Sequence, residues 1–262
     1  MMVFPLFVGC TRNAITGRKQ LSLVPESQMQ EMAITQYQSF LSQNKVVSNS
    51  TNKDAEMVKR VGSRIANAIT AFYSQQGKSE VLNGYKWEFN LVDNKEINAW
   101  CMPGGKVVVY TGILGVTQNE AALAVVLGHE ITHAVALHGS ERMSQEMATQ
   151  GLGALLNVAT ASNEKVNSIF NSIYSPGSQV LYTLPNSRNQ EYEADHYGLI
   201  FTALAGYNPR EAISFWQRMA AGSANGQKPP EFLSTHPADA NRIEKLKGYM
   251  DEALKLYKPV KN

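Results

Sequence analysis

Two cysteines in 262 residues are too few for a disulfide scaffold or a cysteine-rich zinc module. No run approaches the ~20 apolar residues of a membrane-spanning helix. Neither sign of charge dominates. Lys and Arg number 24 against 22 Asp and Glu, a formal balance of +2. That removes the basic field on which nucleic-acid binding depends, so no nucleic-acid partner is expected. Glycine and proline are near ordinary usage, which excludes a fibrous chain. What is present is globular composition, 44% hydrophobic and 18% charged, with enough length to bury a real core.

The chain opens on apolar or small residues that lead to Cys10. A short apolar stretch before a small-residue site reads as an export signal. Leu6-Phe7-Val8-Gly9-Cys10 resembles a bacterial lipobox, in which cleavage exposes a cysteine for lipidation. It departs from that pattern in two ways: no Lys or Arg precedes it, and Phe7 stands where Leu is usual. The expectation is a signal remnant and tether over 1–24, irregular from 11 to 24, with a lipid on Cys10 as the membrane anchor. Thr11 after the cysteine, where an Asp would favour retention, points to an outer membrane. Cys101 then reads as a small semi-buried hydrophobe. A Cys10–Cys101 disulfide is the alternative.

Residues 25–262 read as one domain. A helix is predicted from Pro25 to Leu41, followed by a Ser/Asn-rich loop over 44–53. Asp54 is the predicted N-cap of a helix to Tyr73, with Val58, Val61, Ile65, Ile69 and Phe72 at helical spacing. Residues 85–93 alternate as a strand does. Residues 97–101 and 106–111 flank Pro103-Gly104-Gly105 as a β-hairpin. Thr117 with Glu120 forms a capping-box pattern. It precedes AALAVVLGHEITHAVALHG, apolar nearly all round and therefore buried. Further helices are predicted over 140–173, from Ser187 to Ala205, from Asn208-Pro209 to Ala220 and from Pro237 to Tyr257. Loops are predicted at 175–187 and 222–236. The fold class is α+β, mainly helical, with a small sheet.

The chemistry starts at His129-Glu130-Ile131-Thr132-His133. Histidines at i and i+4 project from one helix face and can share a zinc ion. Glu130 lies beside them and can act as a general base on water. A catalytic zinc needs a third protein ligand. The metzincin pattern would place Gly at 136 and His at 139, but Ala136 and Gly139 stand there. His138 therefore reads as a solvated helix-end histidine. Glu191 and Asp195 are again i and i+4, so one carboxylate can bind metal while the other accepts a hydrogen bond from a ligating histidine. Glu193 lies about 160° round that helix and is the rival ligand. His196 faces away. Gly151-Leu152-Gly153 follows no strand, so it reads as close packing or flexibility, not a nucleotide loop.

Several motifs now stand in one order: Asn98-Ala99-Trp100-Cys101-Met102-Pro103-Gly104-Gly105, VVVYTGIL, the HExxH helix, EYEADHYG, and Ser234-Thr235-His236-Pro237. Over roughly 54–250 they resemble the gluzincin zinc metallopeptidases of the HtpX, BepA, LoiP and Ste24-type family (metallopeptidase family forty-eight). The absence of apolar spans and the Cys10 signal place the chain with a soluble lipoprotein branch. The resemblance implies a compact gluzincin metalloprotease domain with a small sheet or hairpin beside the HExxH helix. It implies one zinc per chain on His129, His133 and Glu191, with Glu130 as catalytic base and acid and Asp195 behind a ligand. It places His236 near the metal, as an oxyanion-side donor or as a fourth ligand in a closed state. A helix-capping role is the plain alternative for His236. Asn98, Ala99, Trp100 and Cys101 would form an edge strand to which extended polypeptide substrate adds. The expected function is a zinc endopeptidase of the cell envelope acting on misfolded or unassembled proteins. A chaperone-like or latent binding protein is the alternative. The segments 44–53 and 175–187 are candidate lids.

Overall fold

A computed structural model describes residues 9–151, 164–174, 187–223, 231–236 and 240–259. The first segment is ordered where an irregular tether was expected. Strand β1 (Cys10–Arg12) pairs antiparallel with β2 (Lys19–Leu21). Asn13 closes the connection, its side-chain oxygen accepting from the amides of Ile15 and Thr16. Helix α1 (Glu26–Gln43) follows, then the short strand β3 (Val46–Val47) inside the predicted loop. Helix α2 spans Lys53–Gln75. Its N-cap is Asn52, not Asp54: the Asn52 side chain accepts from the amides of Asp54 and Ala55. Asp54 instead sits in the first turn, where its charge complements the helix dipole. Val58, Val61, Ile65 and Ile69 are fully buried, as their spacing requires.

A mixed sheet comes next. Strands β4 (Glu88–Val92), β5 (Ala99–Met102) and β6 (Lys106–Tyr110) join β3 in the order β3-β4-β6-β5. The predicted hairpin is there, with Met102 opposite Lys106 and Ala99 opposite Val109. Gly104 and Gly105 turn it at φ +77 and +81, and a Cβ on Gly105 would lie 2.5 Å from the Trp87 ring. Only glycine suits that turn.

Helix α3 (Thr111–Thr117) ends in left-handed Gln118, and α4 (Glu120–Val135) starts at once. The expected Thr117–Glu120 capping box does not form. Thr117 belongs to α3, and Asn119 caps α4 by accepting from the Ala122 amide. Helix α4 is buried almost end to end, which fits its all-round apolar sequence.

The predicted helix over 140–173 resolves into α5 (His138–Thr149) and α6 (Glu164–Tyr174). Helices α7 (Ser187–Leu204) and α8 (Glu211–Ser223) match expectation. The loop expected over 222–236 contains a short helix, α9 (Glu231–Thr235), and α10 runs from Ala240 to Leu256. The expected signal over 1–8, the candidate lid at 175–186, Leu152-Gly153 and the Pro237 helix start lie outside the described residues. Among those residues no single helix is long and apolar enough to cross a membrane. Cys10 and Cys101 are free thiols, exposed and buried respectively, so the alternative disulfide is absent.

Two apolar clusters hold the elements together. The larger joins α2, α4, α7, α8 and α10 with β5 and β6. The smaller sets α1, α5 and α6 against the other face of the sheet. Helix α4 crosses α7 at two glycines. A Cβ on Gly128 would meet the Gly198 carbonyl oxygen at 2.7 Å, and one on Gly198 would meet the His129 amide nitrogen at 2.9 Å. This close approach sets two predicted functional segments side by side.

Candidate metal centre

The Gly128–Gly198 crossing places one face of α4 against one face of α7. From α4 come His129 and His133, one turn apart. From α7 comes Glu191, and from the residue after α9 comes His236. One ligand atom from each of these four lies within 4.8 Å of the others, and all four residues are buried. His129 Nε2 is 3.1 Å from His133 Nε2 and 3.4 Å from Glu191 Oε2. His236 Nδ1 lies 2.7 Å from Glu191 Oε2 and 3.1 Å from His129 Nε2. His236 thus faces the cluster, and its amide donates to the carbonyl of Phe232 in α9.

Glu130 stands beside the cluster on α4. Its Oε1 is buried, lies 3.3 Å from His236 Nε2, and forms no hydrogen bond. Asp195, one turn on from Glu191, sits 3.0 Å from His129 Nδ1. That contact leaves His129 Nε2 free to face the cluster. Glu193 points elsewhere, as its helical angle requires: it contacts Arg18 and His138. His196 also turns away, against Glu252 and Tyr249.

The electrostatics suit a cation. Burial acts to lower the His129 pKa, but hydrogen bonds to Asp195 and Glu191 outweigh it and push it up to about 9. Burial holds His133 well below its ordinary value, as a neutral ligating imidazole requires. Burial opposes ionisation of Glu191, yet His236 and His133 hold it well below the usual carboxylate range. Glu130 is raised by burial, the direction that suits a base working near neutral pH. Two imidazoles, a carboxylate and a third imidazole, with the Glu130 carboxylate next to them, form a donor set that fits zinc.

Three groups around the site were not anticipated. Arg242 donates to both Asp195 oxygens, at 2.6 and 2.7 Å, and stacks 3.7 Å from the Trp216 ring. Its sequence signal was an arginine on the same stripe of α10 as Leu246, Met250 and Ala253. His138 is fully buried, not solvated, and lies 2.9 Å from His133 Nδ1. The reason is Leu137, left-handed at φ 56, which turns α5 away from α4 by 49° and aims His138 back at His133. A non-glycine residue pays roughly 1–2 kcal/mol for that conformation. Arg18, from the supposed tether, is the third.

A cavity of about 80 Å³ borders the site. It is lined by Asn98, Trp100, Cys101 and Met102 of the β5 segment and by Glu130, His133 and His236. The predicted strand therefore runs beside the cluster. The space is well below the ~300–1,000 Å³ of a typical ligand cleft.

Paired helical histidines, a carboxylate from a second helix and a glutamate beside them form a cluster that could hold a metal ion. The chain belongs to Peptidase family M48, which it matches over residues 52–250. It is 35% identical to the mitochondrial metalloendopeptidase OMA1 of Saccharomyces cerevisiae over 68% of this chain and 51% of that one. The human metalloendopeptidase OMA1, mitochondrial, is 32% identical over 92% of this chain and 46% of its own. The beta-barrel assembly-enhancing protease of Escherichia coli is 28% identical over 60% of this chain and 33% of its own. The chain spans about half the length of the first two relatives. The expected fold class, peptidase family and zinc cofactor all agree with this membership. The family includes proteins named as mitochondrial, so membership does not establish the soluble lipoprotein branch.

Proposed function

We propose that this chain is a zinc-dependent endopeptidase of the bacterial cell envelope that cleaves misfolded or unassembled proteins. The observation that carries the catalytic reading is the convergence of His129, His133, Glu191 and His236 within 4.8 Å, beside the Glu130 carboxylate, whose buried Oε1 makes no hydrogen bond. His129 Nε2, His133 Nε2 and the Glu191 carboxylate would hold one zinc ion. When bound, zinc acidifies water and polarises a carbonyl.

The chain's own groups do the rest. Asp195 accepts from His129 Nδ1 and keeps Nε2 directed at the cluster. Arg242 balances the Asp195 charge. Glu130 takes a proton from the attacking water, and the carbon–nitrogen bond then breaks as Glu130 passes that proton to the leaving amine. His236 Nε2, 3.3 Å from Glu130, is placed to donate to the developing oxyanion. β5 stands at one end of the sheet order among the described residues. Its backbone, running past the cavity through Asn98, Ala99, Trp100 and Cys101, offers hydrogen bonds to an extended substrate. Recognition of that kind tolerates many sequences, as a quality-control substrate demands.

The envelope location rests on the lipobox-like string and on Cys10, which is exposed and able to carry a lipid. A second reading has its own support. His236 lies against Glu191 at 2.7 Å and the cavity is small, so a closed resting state with little turnover fits this geometry.

The test is cleavage of casein by the chain and by its Glu130→Gln variant at equal, measured zinc. The proposal expects activity in the first and a loss of about 10²–10⁴-fold in the second. Equal activity in both would overturn the role of Glu130. No activity in either, with zinc bound, would favour the closed or binding-protein reading.

A further inference from the structure

Behind the metal cluster lies a second set of polar side chains that the proposed chemistry does not use. It starts at Arg18, just before β2. Arg18 Nη1 and Nη2 donate to the two oxygens of Glu141, each at 2.7 Å. Arg18 Nε donates to Glu193 Oε1, also at 2.7 Å. Glu141 is 1% exposed, so this fork reaches from a half-buried guanidinium to a fully buried carboxylate.

Two chains of contacts run on from the fork. In the first, Glu193 Oε2 lies 2.9 Å from His138 Nε2, and His138 Nδ1 lies 2.9 Å from His133 Nδ1. In the second, Glu141 Oε2 accepts from Gln190 Nε2 at 2.7 Å, and Gln190 Oε1 accepts from Arg142 Nε at 2.6 Å. Arg142 Nη2 then reaches Glu191 Oε1 at 3.4 Å. One guanidinium is thereby linked to two residues of the metal cluster by separate routes.

The first chain has a definite sense. A carboxylate only accepts, so His138 Nε2 carries the hydrogen that Glu193 receives. His138 Nδ1 then accepts from His133 Nδ1–H. That leaves the His133 Nε2 lone pair facing the cluster. Asp195 does the same for His129 directly. The helix break at Leu137 that aims His138 is itself braced from the same hairpin connection, since Asn13 Nδ2 donates to the Ala136 carbonyl at 2.6 Å. Residues 10–21 lie outside the segment that matches the family, 52–250.

We propose that Arg18 is a positioning residue for the metal centre, fixing His133 through Glu193 and His138, and Glu191 through Glu141, Gln190 and Arg142. The N-terminal hairpin is then a working part of the site and not a passive tether. The inference rests on reading the cluster as a zinc site.

The experiment measures zinc affinity of the full chain by competition with a chromophoric chelator, together with the Tm of the metal-free protein. Four proteins are compared: the parent, Arg18→Gln, Glu193→Gln and Tyr197→Phe. Tyr197 also ties down the hairpin, through its hydroxyl to the Ile15 carbonyl at 3.0 Å, but touches neither chain of contacts. Loss of an outer partner of a ligand weakens metal affinity by about 10–100-fold. That loss is expected for Arg18→Gln and Glu193→Gln, with Tyr197→Phe at the parent value. If Arg18→Gln does not fold, Glu193→Gln decides alone. Parent-like affinity in both variants overturns the proposal. So does equal weakening in Tyr197→Phe, which would assign the effect to hairpin docking alone. A parent chain that binds no zinc overturns the metal reading itself, a result distinct from either.

Discussion

Gly198→Ala should separate the two halves of the metal centre. The added Cβ would lie 2.9 Å from the His129 amide nitrogen and 3.1 Å from both His129 Cα and the Gly128 carbonyl carbon. All three are backbone atoms of α4, so no side chain can rotate aside. The helices must part by a few tenths of an ångström. Overpacking of this kind costs about 1–3 kcal/mol. Replacing a helical glycine returns about 0.8–1.0 kcal/mol. The net destabilisation is about 0–2 kcal/mol, or a Tm fall of at most about 8 °C for a chain of this size. The site should suffer more than the fold. Helix α4 carries His129 and His133 and α7 carries Glu191 and Asp195, so any parting stretches every contact between the pairs. A misplacement of about 1 Å costs on the order of 10²-fold in rate, and a few tenths should cost about tenfold. The assay is kcat/KM on casein at a temperature where the variant is fully folded, beside a melting curve. Gly248→Ala is the control. Gly248 is an exposed residue of α10, and a Cβ there meets nothing within 4 Å. It should gain about 0.8–1.0 kcal/mol with unchanged activity. A Gly198→Ala variant that gains as much and keeps full activity would refute the argument from the helix crossing.

Other outcomes follow from single groups. At saturating zinc, Glu191→Ala should lose most of its bound metal while Glu193→Ala stays stoichiometric. The reverse pattern, read by metal analysis after gel filtration, would reassign the ligand. His236→Ala should keep its zinc and change its rate. A rise would show that His236 holds a closed state, a fall that it stabilises the oxyanion, and an unchanged rate would exclude both. Glu26 gives a pH signature. Burial pushes its carboxyl from the ordinary 4.5 up to about 7, against hydrogen bonds from Ser140 and Gln30. The folded state therefore holds this proton more tightly, and its contribution is fully present below about 4.5 and lost as pH rises to about 7. At roughly 1.4 kcal/mol per pKa unit the loss is about 3 kcal/mol. Glu26→Gln should melt above the parent at pH 8, with the gap closing by about pH 4.5. A pH-independent gap would show that the charge plays no part.

The fold was legible wherever the signal was periodic and local. The apolar spacing of α2, the all-round apolar run of α4 and the glycine-turned hairpin all name their elements from the chain alone. The misses cluster at element ends. Asn52 and Asp54 both suit a helix start, as do Thr117 and Asn119, and only the backbone path decides which side-chain oxygen reaches an open amide. The break at Leu137 left no trace, because leucine has no preference for left-handed backbone. That one residue turned His138 from an apparent solvent-facing end into the buried neighbour of His133.

The same contrast governs the site. Three of the four cluster residues come from motifs whose spacing already implies a shared face, His129 with His133 and Glu191 with Asp195, while the fourth, His236, stands in a separate motif after α9. What holds them in place comes from distant chain. Arg242 meets Asp195 across 47 positions, and Arg18 meets Glu193 across 175. Nothing in the spacing of single charges links them. Burial could have flagged Arg242, because an arginine on the apolar stripe of α10 has to find a carboxylate partner inside. Arg18 offered no such sign, since a polar segment next to a lipidation-like cysteine reads equally well as solvent-exposed tether. The ligands of a metal centre are thus written locally in the chain. Their supports are set by topology, and here that topology draws the N-terminal hairpin into contact with both helices that carry the ligands.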